Sequence, residues 1–458
     1  MTQLKTLLRG AALVACVAQV LVGFVWWVLQ LGAVPAYGDT PEYVEIAASL
    51  EVDGFRTLAY PLLVKGALAI QDAVGWLPWQ VPLYLVQTAV LVAAATYLVR
   101  SVAPWASRSV AMLGAAVLAT GPLQLHYATS VLSDSLAASA FVVALAAAAR
   151  LVLGDRHRST TVLALVGACA AALLRTEKAV VVVAVAAVFA VVALVLARPL
   201  QAGVRRAAPL VVALVLPALV ASGVNHVTQT ADLGRPEAGA AAVAVSRVVW
   251  PHLEQIHDDL PAAVRAAVSV EDARAFDDHN NNALPMTERL RDLDDGGDRY
   301  AFAAARSALA CCGGTVLLDT LGDLAEYTAV PLVLAREAVP VLGVAEPADT
   351  PTAWNITRMR EAHPSATTVF LVASFVALGL LLLAAAARFV SAWRRGAADL
   401  RVAALVLLGT VVNGAAFALA QGADANVRYG LPNAMAFTAL LVAAALLPEA
   451  TRGAHGRG

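Results

Sequence analysis

Ten apolar runs divide the chain, at 8–32, 81–100, 109–125, 132–153, 159–174, 179–197, 207–224, 367–389, 401–420 and 430–447. Each approaches or exceeds the length of helix that crosses a hydrocarbon core, about 20 residues. Their Ala, Leu and Val follow one another without the alternation of a half-buried strand. Only helices or closed barrels satisfy the backbone in lipid, so these runs predict spanning α-helices, with 159–174 the shortest. Between the first two runs lie two shorter stretches of helical character, about 40–51 and 57–72. Ile46, Leu50, Leu58, Leu62 and Leu63 supply apolar faces there, while Glu45, Lys65 and Asp72 stay polar, the pattern of helices resting on a membrane surface.

The stretch 225–366 reads as one long connection, with a polar loop at 276–299. Its pieces 301–318 and 321–335 are apolar but punctuated by Arg306, Asp319, Asp323 and Glu326, as in interfacial helices. Three units follow: a transmembrane module over 1–224, a mostly helical outer segment over 225–366, and C-terminal transmembrane helices with a tail over 367–458. No internal repeat of fixed period is visible, and the only low-complexity stretch is the Gly/Arg tail from Arg452 to Gly458.

Composition agrees with this pattern. Hydrophobic residues make up 60% of the 458 and charged residues 14%, with a mean hydropathy of +0.72, which excludes an ordinary water-soluble globule and leaves an all-α polytopic membrane protein. The apolar run 7–31 exceeds the core of a signal peptide, about 7 to 15 residues, so a retained helix is expected although Val34-Pro35-Ala36 resembles a cleavage site. A net charge of -1 argues against a nucleic-acid partner. Cys16 and Cys169 lie inside apolar runs and Cys311 and Cys312 are adjacent, a spacing of neither a zinc site nor a disulfide framework, so small packing residues are expected.

Charge placement gives an orientation. With both termini in the cytoplasm, sixteen Lys and Arg fall on that side, and the short outer loops hold five: Arg56, Lys65, Arg175, Lys178 and Arg428. The same outer loops carry nine acids against three inside. That is the positive-inside pattern of a multi-pass protein of the cell membrane, and it turns Asp39 and Glu42 outward.

Four outward clusters then collect at helix ends: Asp39, Glu42 and Tyr43 with Arg56 and Tyr60; His126-Tyr127 with Ser133-Asp134-Ser135; Arg175-Thr176-Glu177-Lys178; and Arg428-Tyr429. Acids beside cations suit a reaction in which a hydroxyl loses a proton while an anionic group departs, as in glycosyl transfer from a polyprenyl phosphate. A positioned carboxylate acts as base on the acceptor, typically worth about 10²- to 10⁴-fold, and cations or a divalent ion stabilise the leaving phosphate. Plainer roles compete at each position. Asp134 suits a helix N-cap, worth about 1 kcal/mol, and Glu42 suits the first turn of the 40–51 helix. Glu177 can neutralise Arg175 and Lys178 in a tight hairpin, and Arg428 can reach to the interface. His126 reads more simply as a satisfied interfacial histidine, and Trp26, Trp27, Trp76 and Trp79 as an aromatic belt. Asp277-Asp278-His279 and His257-Asp258-Asp259 lack the Gly and spaced acids of a calcium loop and read as solvated loops.

At these residues the chain resembles the GT-C class of membrane glycosyltransferases, particularly the bacterial members related to protein mannosyltransferases and lipid-sugar transferases. The resemblance lies in an acid just after the first span, then a Tyr and a short apolar helix (Asp39-Thr40-Pro41-Glu42-Tyr43 to Leu50), a Tyr-Pro pair opening a second surface helix (Tyr60-Pro61), and a further acid after the third span (Asp134). It covers roughly 1–224 and touches Arg428-Tyr429. It implies seven spans and two surface helices in that module, and an inverting transfer with Asp39 as base and Glu42 and Asp134 shaping the site or holding Mg or Mn, which only some members require. It also implies a polyprenyl-phosphate sugar donor, with Tyr43, Arg56, Tyr60, His126, Arg175, Lys178, Arg428 and Tyr429 as substrate contacts. The acceptor class, glycan, lipid or protein, stays open, as does the choice of pentose or hexose. Two other readings compete: a transporter or flippase of a lipid-linked or small solute, and a noncatalytic assembly protein. The first lacks matching interrupted helices in two halves.

Overall fold

The computed structural model describes residues 2–33, 39–52, 56–104, 106–196, 200–229, 240–271, 284–328, 359–393, 400–421 and 430–446. It is helical, and no strand occurs among the described residues. All ten apolar runs are helical. They form α1 (Thr2–Ala33), α4 (Gln80–Val102), α5 (Arg108–Ala119) with α6 (Pro122–Ala128), α7 (Asp134–Val152), α8 (Arg158–Leu174), α9 (Thr176–Leu196), α10 (Leu200–Gln229), α16 (Pro364–Trp393), α17 (Leu400–Gln421) and α18 (Leu431–Leu446). The two surface stretches are α2 (Thr40–Ser49) and α3 (Ala59–Val74). The outer segment contributes α11 (Ala240–Ala244), a π-helical turn at Val245–Val249, α12 (Leu253–Ile256), α13 (Ala262–Ala267), α14 (Leu284–Asp292) and α15 (Arg299–Thr328).

Eight described helices are long and apolar enough to cross a membrane. Seven come from the ten runs, and the eighth lies in α15. Two runs fall short, since α8 has 17 residues and α18 has 16. The 109–125 run is not one straight span, because it bends by 70° between α5 and α6. Gly121-Pro122 is the cause: proline pushes the residue before it out of the helical region, and Gly121 is extended at φ -58, ψ 144. The pieces 301–318 and 321–335 were expected as separate interfacial helices. As far as Thr328 they lie in α15, whose break falls at Cys312, within the first piece and not between the two.

Helix α7 is the hub. Within its apolar window 89% of residues are buried, against 50% or less in the other long helices, so it has almost no lipid-facing side. Its alanines let neighbours approach closely, and at Gly167 of α8 an added Cβ would stand 2.7 Å from the Ala140 carbonyl oxygen and 2.9 Å from the Ala144 nitrogen. One apolar core joins α2–α10 to α17, α18 and Tyr327, so the N- and C-terminal units share their interior. A second, smaller core runs from Ala241 to Ala308 in the outer segment. Helix α1 lies along α16, with Trp26 stacked on Phe370 at 4.6 Å, so Trp26 belongs to a helix interface and not to an aromatic belt.

The cysteine expectation is corrected at α15. Cys311 is exposed and Cys312 half-buried, so neither is a buried packing residue, and Cys312 is non-helical at φ -124, ψ 16. Cys16 is buried and free, as a packing residue would be.

Candidate functional site

The site begins with the buried connection Thr129–Ser133 between α6 and α7, whose backbone groups need partners away from water. Gln87 of α4 serves one of them and the last carbonyl of α6, its amide donating to Ser130 and to Ala128 at 2.9 Å each. Tyr60 completes Gln87, its hydroxyl donating to the amide oxygen at 2.8 Å. On the other side, Thr40 donates to the Val131 carbonyl at 3.5 Å, and Tyr43 shares a 3.2 Å hydrogen bond with Ser133. Helix α2 is thereby fastened over the start of α7, with Tyr43 edge-on to Tyr60 at 4.7 Å.

Two arginines then gather the acids. Arg56 reaches Asp39 at 3.0 Å and Glu42 at 2.6 Å, with its guanidinium 5.5 Å from the centre of the Tyr43 ring. Arg175 bridges Asp134 and Glu177. The backbone carbonyl of Arg56 accepts from Gln229 at 2.9 Å, and the neighbouring Thr57 donates to the Leu174 carbonyl at 3.0 Å, which ties this loop to α8 and α10. Exposure falls steeply across the cluster, from 46% for the Glu42 side chain through 17% for Asp39 to 2% for Asp134.

The electrostatics follow from burial and these pairs. Burial pushes the Tyr43 phenol up; Arg56 and Arg175 pull it down, Asp134 and Asp39 add to the rise, and the phenol stays neutral. Tyr60 is raised further, chiefly by burial, with Tyr43, Tyr84 and Asp134 adding. Burial weakens the Arg56 proton, but Asp39, Tyr43 and Glu42 outweigh it and hold the guanidinium charged.

The structure therefore brings together Asp39, Glu42, Tyr43, Arg56, Tyr60, Asp134 and Arg175. Tyr60 supports the floor and lies fully buried. His126 is also fully buried in α6, edge-on to Tyr127. Arg428 and Tyr429 lie outside the described residues, as does Asp277-Asp278-His279. Asp134 does not cap its helix: Ser133 holds the cap position, and Asp134 turns one oxygen to Arg175 while its Oδ2 has no hydrogen-bond partner among the described residues. Glu42 occupies the first turn of α2, where the helix dipole favours it, and also bonds Arg56.

Lys178 departs from the expected phosphate contact. Its ammonium is buried 4.4 Å from the Phe417 ring centre and 5.2 Å from that of Phe141, and it donates to Asn413 at 2.9 Å. Asn413 donates on to Asn433 at 3.1 Å, and Asn433 to the Tyr327 carbonyl at 2.9 Å. This polar chain through α9, α17, α18 and α15 was not foreseen, because two asparagines in separate apolar runs carry no local signal of their pairing.

Among the described residues no three His, Cys, Asp or Glu side chains are grouped to hold a metal ion. Arg56 takes one oxygen each of Asp39 and Glu42, and Arg175 takes one of Asp134. No family model, curated protein or solved structure matches the chain.

Proposed function

We propose that this protein is a membrane glycosyltransferase that moves a sugar from a polyprenyl-phosphate donor to an acceptor hydroxyl on the extracytoplasmic side. The observation carrying this reading is the convergence of Asp39 and Glu42, at the start of α2, with Asp134, at the start of α7, through Arg56, Arg175 and Tyr43. The resemblance in residue pattern and the positive-inside charge count support the same reading.

In this mechanism the acceptor oxygen attacks the anomeric carbon as the bond from that carbon to the phosphate oxygen breaks. The polyprenyl phosphate leaves with the electron pair, and Asp39 takes the hydroxyl proton. Arg56 holds the Asp39 carboxylate in place at 3.0 Å. Four carboxylates, Asp39, Glu42, Asp134 and Glu177, are paired with two cations, Arg56 and Arg175, so a phosphate needs a further positive charge. Arg428 is the residue that the resemblance offers for it.

A second reading, a transporter or flippase, has one specific support. The 70° break at Gly121-Pro122 borders a cavity of about 40 Å³, room for a few waters, lined by Gln19, Gln124, Ser374 and Thr438. Reconstituted vesicles separate the two readings. Given a panel of polyprenyl-phosphate pentoses and hexoses with hydroxyl acceptors, the enzyme forms a new glycoside. Movement of the labelled lipid or solute without any glycoside would overturn the enzymatic reading.

A further inference from the structure

Helix α7 starts with Asp134 at the cluster of acids and arginines and ends at Val152, so the turn that follows it stands at the other end of the bundle. Four arginines gather there. Arg156 and Arg158 flank His157 in the turn and at the start of α8, and Arg205 and Arg206 lie in the second turn of α10. The Arg206 guanidinium stands 3.9 Å from the place a Cβ would take on Gly154, which brings the start of α10 beside this turn. We propose that these arginines, with the apolar stripes that run from them along α8 and α10, bind an anionic phospholipid of the adjoining leaflet. This proposal depends neither on glycosyl transfer nor on which leaflet faces the cytoplasm.

The charge of this turn is left unanswered by the chain itself. Asp155 is its one acid, and no acid occurs in 197–207. Asp155 is already taken: Arg150 binds it at 2.6 Å, the Thr160 hydroxyl donates to it at 3.0 Å, and so does the His157 N–H at 2.9 Å. Arg156, Arg158, Arg205 and Arg206 form no ion pair among the described residues, and all but Arg206 are exposed. Like charges held together repel, and a counter-anion relieves that cost. A guanidinium meets a phosphate through two parallel hydrogen bonds, a fit that the compact ammonium of lysine does not offer.

The stripes select a lipid over a soluble anion. Positions three and four apart share one face of a helix. On α8, Arg158 heads the exposed side chains Val162, Leu165 and Val166, and on α10, Arg205 heads the exposed Val212, Leu216 and Leu219. Because α10 packs on α8, both stripes belong to neighbouring helices. A soluble phosphate uses the arginines and leaves the stripes bare. A phospholipid uses both, with its phosphate at the arginines and its acyl chains along the apolar side chains. A zwitterionic headgroup brings a cation of its own into the patch, so the anionic headgroup is the better match.

The test uses full-length protein in phosphatidylcholine nanodiscs into which phosphatidylglycerol is titrated. Binding raises the melting temperature of the parent. Arg156→Gln/Arg158→Gln melts like the parent in phosphatidylcholine alone and needs about tenfold more phosphatidylglycerol, or more still, for the same rise. Arg206→Gln shifts the titration in the same direction. Arg100→Gln/Arg108→Gln removes two exposed arginines from α4 and α5 and titrates like the parent. Inorganic phosphate in place of phosphatidylglycerol leaves the melting temperature unchanged. Titrations of Arg156→Gln/Arg158→Gln and Arg206→Gln that match the parent would overturn the site, and a rise with inorganic phosphate alone would overturn a lipid as its occupant.

Discussion

Tyr43 and Ser133, 90 positions apart, share a 3.2 Å hydrogen bond that fastens the surface helix α2 to the start of the buried helix α7. Through it the acids of the first loop and Asp134 share one neighbourhood. Tyr43→Phe keeps the edge-on ring against Tyr60 and loses only the bond, so it costs about 1 kcal/mol. Ser133→Ala costs a similar amount, and the double variant adds little to either. Unfolding of the detergent-solubilised protein read as a double-mutant cycle checks this.

Arg175 is the cation beside a carboxylate with 2% of its side chain exposed. Arg175→Ala leaves the buried Asp134 without its cation, so it destabilises by about 3 to 5 kcal/mol. Asp134→Asn in the same chain recovers most of that loss. Arg175→Lys recovers less, because one ammonium does not span Asp134 and Glu177 as the guanidinium does. Melting temperatures of the three variants rank these outcomes.

Lys178 donates to the neutral side chain of Asn413 while buried between two aromatic rings. Desolvating a charge costs several kcal/mol, which a neutral amide and two ring faces offset only in part, and losing that amide adds to the cost. Lys178→Met therefore melts at or above the parent temperature, and Asn413→Leu melts well below it. The opposite order would show that the ammonium stabilises the bundle.

Much of the fold was legible because span length is a local property of the chain. The ten apolar runs became helices, and α2 and α3 lie within a few residues of the expected surface pieces. The bend at Gly121-Pro122 carried a local signal that run length alone conceals. Residue type and position put Asp39 and Glu42 with Arg56, but not Asp134 with Arg175, a pairing that depends on how α7 packs against α8. Gln87 illustrates the remaining gap. A lone amide in an apolar run looks like a packing residue until the connection whose carbonyls it serves is placed beside it.

Acid should loosen the turn between α7 and α8. Burial works to raise the Asp155 carboxyl, but hydrogen bonds from the His157 N–H, the Thr160 hydroxyl and Arg150 outweigh it and hold the group below its usual range. A group lowered on folding contributes stability that is present above its unfolded value, near about 4, and is lost as pH falls through the folded value. Between pH 5 and pH 3, each to within about half a unit, the parent loses more stability than Asp155→Asn. Protease cleavage at Arg156 and Arg158 after acid treatment reads the difference.

The most direct measurement is sugar transfer by Asp39→Asn. Glu42 still holds Arg56 at 2.6 Å in that variant, so the surface loop keeps its anchor. Purified protein supplied with a polyprenyl-phosphate sugar and a hydroxyl acceptor should form glycoside about 100-fold more slowly or worse, with an unchanged melting temperature. Turnover equal to that of the parent would contradict Asp39 as the base and remove the central claim.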